Sequence, residues 1–190
     1  MGMFQLNWVK ELIGEPGVRR DAGTAPAIVA ATFAPGPVLL AYATQTGVTE
    51  DLANATHEQL LAAGIETELV ELNDLDLDKL AATPQALFLT STTCDGDPPD
   101  MAEAFAEERM VERAPLERLQ YGLLALGDRA YEHFCGFGHA LDGWLQACGA
   151  RPWFPCIEVD DEDGDALDRW HAQVAALVPK VAAAAGPVTP

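Results

Sequence analysis

Apolar runs alternate with polar gaps along most of this chain, and the alternation is regular from residue 37 onward. Pro37-Val38-Leu39-Leu40-Ala41-Tyr42 is an apolar run that predicts a strand. Leu52, Ala53, Leu60 and Leu61 then recur at helical spacing, predicting a helix over residues 49–63 that Gly64 stops. Residues 67–72 predict a second short strand, and residues 73–78 read as an acidic link. Residues 86–91 and 121–127 are continuous apolar runs, as in strands covered on both faces. Helices are predicted over residues 100–111, 138–148 and 165–181, with a last strand over 153–159. Five strands joined by crossover helices predict an α/β fold, a doubly wound parallel sheet.

The first 36 residues stand apart. Phe4, Leu6, Trp8, Val9, Leu12 and Ile13 fit one short amphipathic helix, and an Ala/Pro/Gly-rich linker follows it. The expected organisation is therefore a preamble over 1–36, a domain over 37–182 and a flexible tail over 183–190.

In such sheets, ligands bind outside the carboxyl ends of the strands, where the strand order reverses. Three loops are brought to that rim: residues 44–49, 92–99 and 128–138. The first reads Thr44-Gln45-Thr46-Gly47-Val48-Thr49. A helix starting there presents unpaired N–H groups and a favourable dipole to an anion, and the threonines add hydroxyl donors. The loop has no lysine or arginine and matches neither glycine-rich nucleotide fingerprint. A phosphate held there is held by neutral donors; the competing reading is a capped helix with an incidental glycine.

Charge narrows the partners. Thirty acidic against 11 basic residues give a formal net charge of −19. That excludes a nucleic-acid or anionic-membrane partner, both of which need a basic face. It suits a protein that docks on something positive, although solubility or a salt-adapted host would also favour acidity. Cys94, Cys135, Cys148 and Cys156 have neither paired nor zinc-like spacing, as expected of reduced thiols in a cytoplasmic protein. Pro26, Pro35, Gly36 and Pro37 interrupt the uncharged run before the first strand, so neither export nor a membrane span is expected.

The rim loops carry a resemblance. Thr44 to Glu50 follows the pattern Ser/Thr-Gln-Thr-Gly-x-Ala/Thr-Glu. Ser91-Thr92-Thr93-Cys94-Asp95-Gly96-Asp97-Pro98-Pro99 departs from a second pattern only at Thr93 and Cys94. Leu126-Gly127-Asp128-Arg129-Ala130-Tyr131-Glu132-His133-Phe134-Cys135 matches a third throughout. Together they resemble the flavodoxin family, and most of all the FMN-binding domain of diflavin reductases of the sulfite reductase and cytochrome P450 reductase type. The resemblance implies a flavodoxin-like five-stranded parallel sheet, order 2-1-3-4-5, with helices on both faces, and FMN as cofactor. It implies a phosphate on Thr44, Gln45, Thr46, Gly47, Val48 and Thr49. The ring and ribityl chain would lie against Ser91, Thr92, Thr93 and Cys94, and against Leu126, Gly127, Asp128, Tyr131, Phe134 and Cys135. Tyr131 is expected to stack on the ring, Phe134 to favour the core over the ligand, and His133 to be a surface residue. Asp160 is placed within reach of the ribityl hydroxyls.

The two departures have consequences. Thr93 replaces an aromatic platform, and Cys94 replaces a glycine whose peptide flips toward the reduced ring in relatives. A side chain at positive φ costs about 1–2 kcal/mol. Either Cys94 weakens the one-electron-reduced state, or it sits in a non-flipping conformation and only tunes packing; no basic residue stands in its loop to activate the thiol. The function implied is electron transfer from an FAD/NADPH reductase to a basic-faced acceptor, both docking on the acidic face formed by Asp95, Asp97, Asp100 and the acids of residues 158–168. A flavin-free docking module, or an FMN-dependent reductase of a small molecule such as a quinone, are the alternatives. No nucleophile–base pair or metal site is legible.

Overall fold

The computed structural model describes residues 34–161 and 163–185; the short helix expected near the N-terminus lies outside them. The chain runs β1 (Val38–Ala43), α1 (Val48–Ala62), β2 (Thr67–Glu71), a 3-10 turn (Leu72–Asp74), α2 (Leu77–Ala82) and β3 (Gln85–Ser91). Then come α3 (Asp100–Ala104), a π-helical turn (Phe105–Arg109), β4 (Gln120–Gly127), α4 (Gly136–Ala147), β5 (Arg151–Pro152), β6 (Ile157–Asp160) and α5 (Gly164–Ala185). The strands pair in parallel in the order β2-β1-β3-β4-β5, and β6 also pairs with β4. This is the 2-1-3-4-5 sheet expected, with the fifth position split in two.

Register explains the two cores. Leu40 sits opposite Leu87 and Tyr42 opposite Leu89, while Leu39 sits opposite Ala86 and Ala41 opposite Phe88. Because side chains alternate faces, the first set packs with α1 and α5 around Leu60, Trp170 and Val174. The second packs with α3 and α4 around Phe105, Leu141 and Trp144. Every residue of β3 but its last is buried, which is why that run carries no alternation.

Two local expectations are corrected. The acidic link over 73–78 is a turn and the start of α2, with Asp76 Oδ1 accepting the Lys79 N–H at 2.6 Å as N-cap. Leu72, Leu75 and Leu80 are buried there while Asp74, Asp76 and Asp78 face water, so the segment is anchored by its leucines. The last strand is not continuous from 153 to 159. Pro152 and Pro155 cannot donate to a ladder, and the chain detours between them. The detour drops Phe154 against Gly122, where a Cβ would lie 2.5 Å from the ring, and into edge contact with Trp170 at 6.0 Å. The last helix continues to Ala185, three residues into the expected tail.

This topology puts the loops after β1, β3 and β4 at one rim. The crossovers leave β1 and β3 in opposite directions, so the switch point lies between them.

Candidate functional site

The loops at residues 44–47, 92–99 and 128–135 enclose a cavity of about 300 Å³. In the first, Gly47 has φ 97°, a left-handed turn that glycine adopts without strain, and its N–H donates to Thr44 Oγ1 at 3.0 Å. That turn aims the first N–H groups of α1 at the cavity, where nothing within the helix can accept them. Asp51 N to Gly47 O, 3.0 Å, is the first bond of the helix proper.

The second loop is a closed turn. Thr93 N donates to Asp97 O at 2.9 Å, and Thr93 Oγ1 donates to Pro98 O at 3.0 Å. Thr92 N donates to Leu126 O at 3.0 Å, which ties the loop to β4. The third loop is braced from β6: Arg129 N donates to Asp160 Oδ1 at 2.9 Å, and its guanidinium lies 3.4 Å from Asp160 Oδ2 and 4.4 Å above the Phe134 ring. Second and third loops also touch closely. A Cβ on Gly136 would meet Gly96 Cα at 2.7 Å, and His133 Nδ1 lies 3.0 Å from Asp95 Oδ1.

Of the residues expected here, Thr46, Val48, Thr49, Ser91, Thr92, Cys94, Leu126, Gly127, Asp128, Tyr131 and Cys135 line the cavity. Thr44, Gln45, Gly47, Thr93 and Phe134 do not. Thr44 and Thr93 spend their hydroxyls on their own loops, and Phe134 stacks under Arg129. Gln45 Oε1 turns away and accepts the Asp100 N–H at 2.9 Å. Asp160, expected within reach of a ribityl chain, braces the third loop and is not among the residues lining the cavity, whereas its neighbour Asp161 is. His133, expected at the surface, is exposed there and also borders the cavity. It occupies an unspecified position inside the third motif.

Two features mark this cavity as built for a ligand. Thr49 Oγ1, Ser91 Oγ and Thr92 Oγ1 are buried without a hydrogen-bond partner, and all three residues line it. Leaving a hydroxyl so costs about 1–3 kcal/mol, which a bound acceptor removes. Second, the non-glycine residues at positive φ among the described residues are Cys94 (46°), Cys135 (52°) and Asp161 (55°), and each lines the same cavity. Backbone strain of this kind gathers at binding sites. A larger cleft of about 560 Å³ lies along the sheet edge near Phe154. Of its charged groups, Arg129 is engaged with Asp160 and Glu158 with His139, while Arg169 also lines it.

The chemistry of the lining is neutral to acidic. No lysine or arginine lines it, and Asp128 and Asp161 do. The α1 end of the cavity offers N–H and O–H donors and no cation, and Tyr131, 55% exposed, stands at the mouth. Cys135 does not supply a thiolate. Burial, with the charge of Glu158 beside it, pushes its thiol up to about 12, and its Sγ–H donates to Ala125 O at 3.2 Å.

Comparison with known proteins agrees with this arrangement. The flavodoxin family model matches residues 40–171. NADPH oxidoreductase A of Dictyostelium discoideum is 32% identical over 145 residues, covering 75% of this chain and 23% of that protein. The sulfite reductase [NADPH] flavoprotein alpha-component of Photobacterium profundum is 35% identical over 153 residues, 80% of this chain and 25% of its own length. Among solved structures, oxidised Flavodoxin 2 from Bacillus cereus superposes with a TM-score of 0.63 at 28% identity, covering 76% of this chain and 99% of that one. The chain thus spans about a quarter of the curated relatives it matches and nearly all of that flavodoxin.

Proposed function

The chain belongs to the flavodoxin family, and from that premise we propose that it holds FMN in the cavity between the three rim loops and relays electrons from an FAD/NADPH reductase to an acceptor protein. The family supports both the cofactor and an electron-transfer role. The observation that carries the assignment of this cavity is that Thr49, Ser91 and Thr92, whose hydroxyls have no partner, all line it.

Bound FMN supplies one- and two-electron redox chemistry; the chain's residues seat it and control its exposure. The N–H groups opening α1 and the Thr46 and Thr49 hydroxyls take the phosphate without a cation. The Ser91 and Thr92 hydroxyls face the ribityl chain, and Cys94 and Tyr131 border the ring. Cys135, protonated and hydrogen-bonded to β4, keeps the third loop seated and donates no charge.

The mouth is flanked by two exposed apolar side chains, Val48 and Tyr131. Asp51, Asp95, Asp100, Asp128 and Asp161 are exposed around it. This is a surface for a partner that presents an apolar contact inside a basic rim, and its association would be fast and salt-sensitive. Donor and acceptor are then a reductase and an acceptor with complementary basic faces. Among the described residues no helix is long and apolar enough to cross a membrane. We place the domain at residues 37–182, preceded by the separate preamble of residues 1–36.

The deciding experiment is an FMN titration of the flavin-free protein by calorimetry, with the absorbance of the protein as purified. Yellow protein that takes up one FMN supports the reading. Colourless protein giving no heat of binding refutes it.

A further inference from the structure

We propose that Gln45 is a positioning residue that fastens the phosphate-side loop to the ring-side loop by capping α3 from outside; this rests on the reading of the cavity as an FMN site. The helix α3 starts behind Pro99, whose side chain cannot accept a backbone N–H, so it has no cap of its own. The Asp100 N–H is satisfied instead by Gln45 Oε1 at 2.9 Å, from a residue 55 positions away. The Asp100 carbonyl is held as well, accepting from Asn73 Nδ2 at 2.8 Å, while Asn73 Oδ1 accepts the Phe105 N–H at 3.1 Å. Asp100 is therefore gripped at both backbone groups by side chains from two other segments, the loop after β1 and the turn after β2.

The grip is transmitted backwards. Pro98-Pro99 leaves little torsional freedom between α3 and the second loop, and that loop is closed by the bonds from Thr93 to Asp97 and Pro98. Where Asp100 sits is thus coupled to where Thr93 and Cys94 sit, while Thr92 is held by its own bond to β4. The Gln45 side chain does not line the cavity. Its effect on the flavin is exerted through α3, and it falls on the ring end although Gln45 belongs to the phosphate loop.

The test separates this from a direct phosphate contact. Gln45→Leu keeps the bulk and removes the acceptor; Gln45→Glu keeps an acceptor oxygen and adds a charge. Flavin-free wild type and both variants are titrated with FMN and with riboflavin, which lacks the phosphate. The expected result is that Gln45→Leu weakens both flavins by the same factor, about three- to tenfold, as for loss of a helix cap. Gln45→Glu restores riboflavin binding. In flavin-free protein, exchange of the Asp100 amide hydrogen speeds up by a similar factor in Gln45→Leu and not in Gln45→Glu. Riboflavin affinity unchanged in Gln45→Leu, no restoration by Gln45→Glu, or an unprotected Asp100 amide in wild type each overturns the proposal. Wild type that binds neither flavin would overturn the FMN reading instead, leaving the amide exchange to decide whether the cap exists.

Discussion

Replacing Thr49 by valine should make the flavin-free protein more stable and its grip on FMN weaker. Thr49 is fully buried at the start of α1, and its Oγ1 has no partner. Such a group costs the folded state about 1–3 kcal/mol, and valine has the same shape and nearly the same helix propensity. Thr49→Val should therefore raise the unfolding free energy of the flavin-free protein by about 1–2 kcal/mol. At about 2–4 °C per kcal/mol for a domain of this size, the thermal midpoint rises by about 2–8 °C. In the FMN complex the same hydroxyl is proposed to donate to a charged phosphate, a bond worth about 1.5–3 kcal/mol, so affinity should fall by about 10- to 100-fold. The control is Thr56→Val, the same change two turns along the same helix. Thr56 Oγ1 donates to Leu52 O at 2.8 Å and accepts the Trp170 indole N–H at 3.0 Å. That substitution orphans the indole, costs about 1–3 kcal/mol, and leaves FMN affinity unchanged. Urea unfolding of the flavin-free variants and fluorescence titration with FMN measure both quantities. The reasoning fails if Thr49→Val destabilises the flavin-free protein as Thr56→Val does, or if it binds FMN as wild type does.

Three other outcomes follow from particular contacts. Gly138→Ala places a Cβ 2.4 Å from the Ala125 Cβ and must lift α4 from β4, lowering stability by about 3 kcal/mol in urea titrations. Cys94→Gly releases a side chain held at φ 46°; relief of about 1–2 kcal/mol, less about 0.5–1 for glycine's greater freedom when unfolded, leaves a net gain between about 0 and 1.5 kcal/mol by the same method. Cys135 is raised from its ordinary value near 9 to about 12, chiefly by burial, so the folded state holds that proton more tightly than the unfolded state. Its contribution is complete below pH 9 and is lost as pH climbs toward 12. Urea midpoints should fall across that window, and Cys135→Ala should flatten the fall.

Much of the site was legible before any coordinates, for a topological reason. A strand that is an uninterrupted apolar run is buried on both faces, so its loops emerge only at the sheet's two rims. In a parallel sheet, every loop that follows a strand reaches the same rim. Residues 44–49, 92–99 and 128–138 each follow such a run, and their shared location followed without any tertiary information. What the motifs could not convey is which polar atoms remain open. Gln45, Thr44 and Thr93 belong to the same patterns as Thr49 and Thr92, yet their side chains close loops or cap α3 while Thr49 and Thr92 stay unpartnered. His133 stands at an unspecified position of the third motif and Asp161 lies outside all three, so neither was marked by residue type.

By itself, the sequence determined the alternation of strands and helices, the parallel doubly wound class, the three rim loops and the absence of a cation in the first of them. Those properties depend on hydrophobic period and residue type, which are local. Only the tertiary structure decided that the acidic stretch after β2 is pinned by three leucines, that two prolines split the edge strand so Phe154 can fill the space beside Gly122, and that three residues with unpaired hydroxyls line one cavity. Each of these depends on which atoms from distant segments arrive within bonding distance, and the pattern along a chain does not encode that distance.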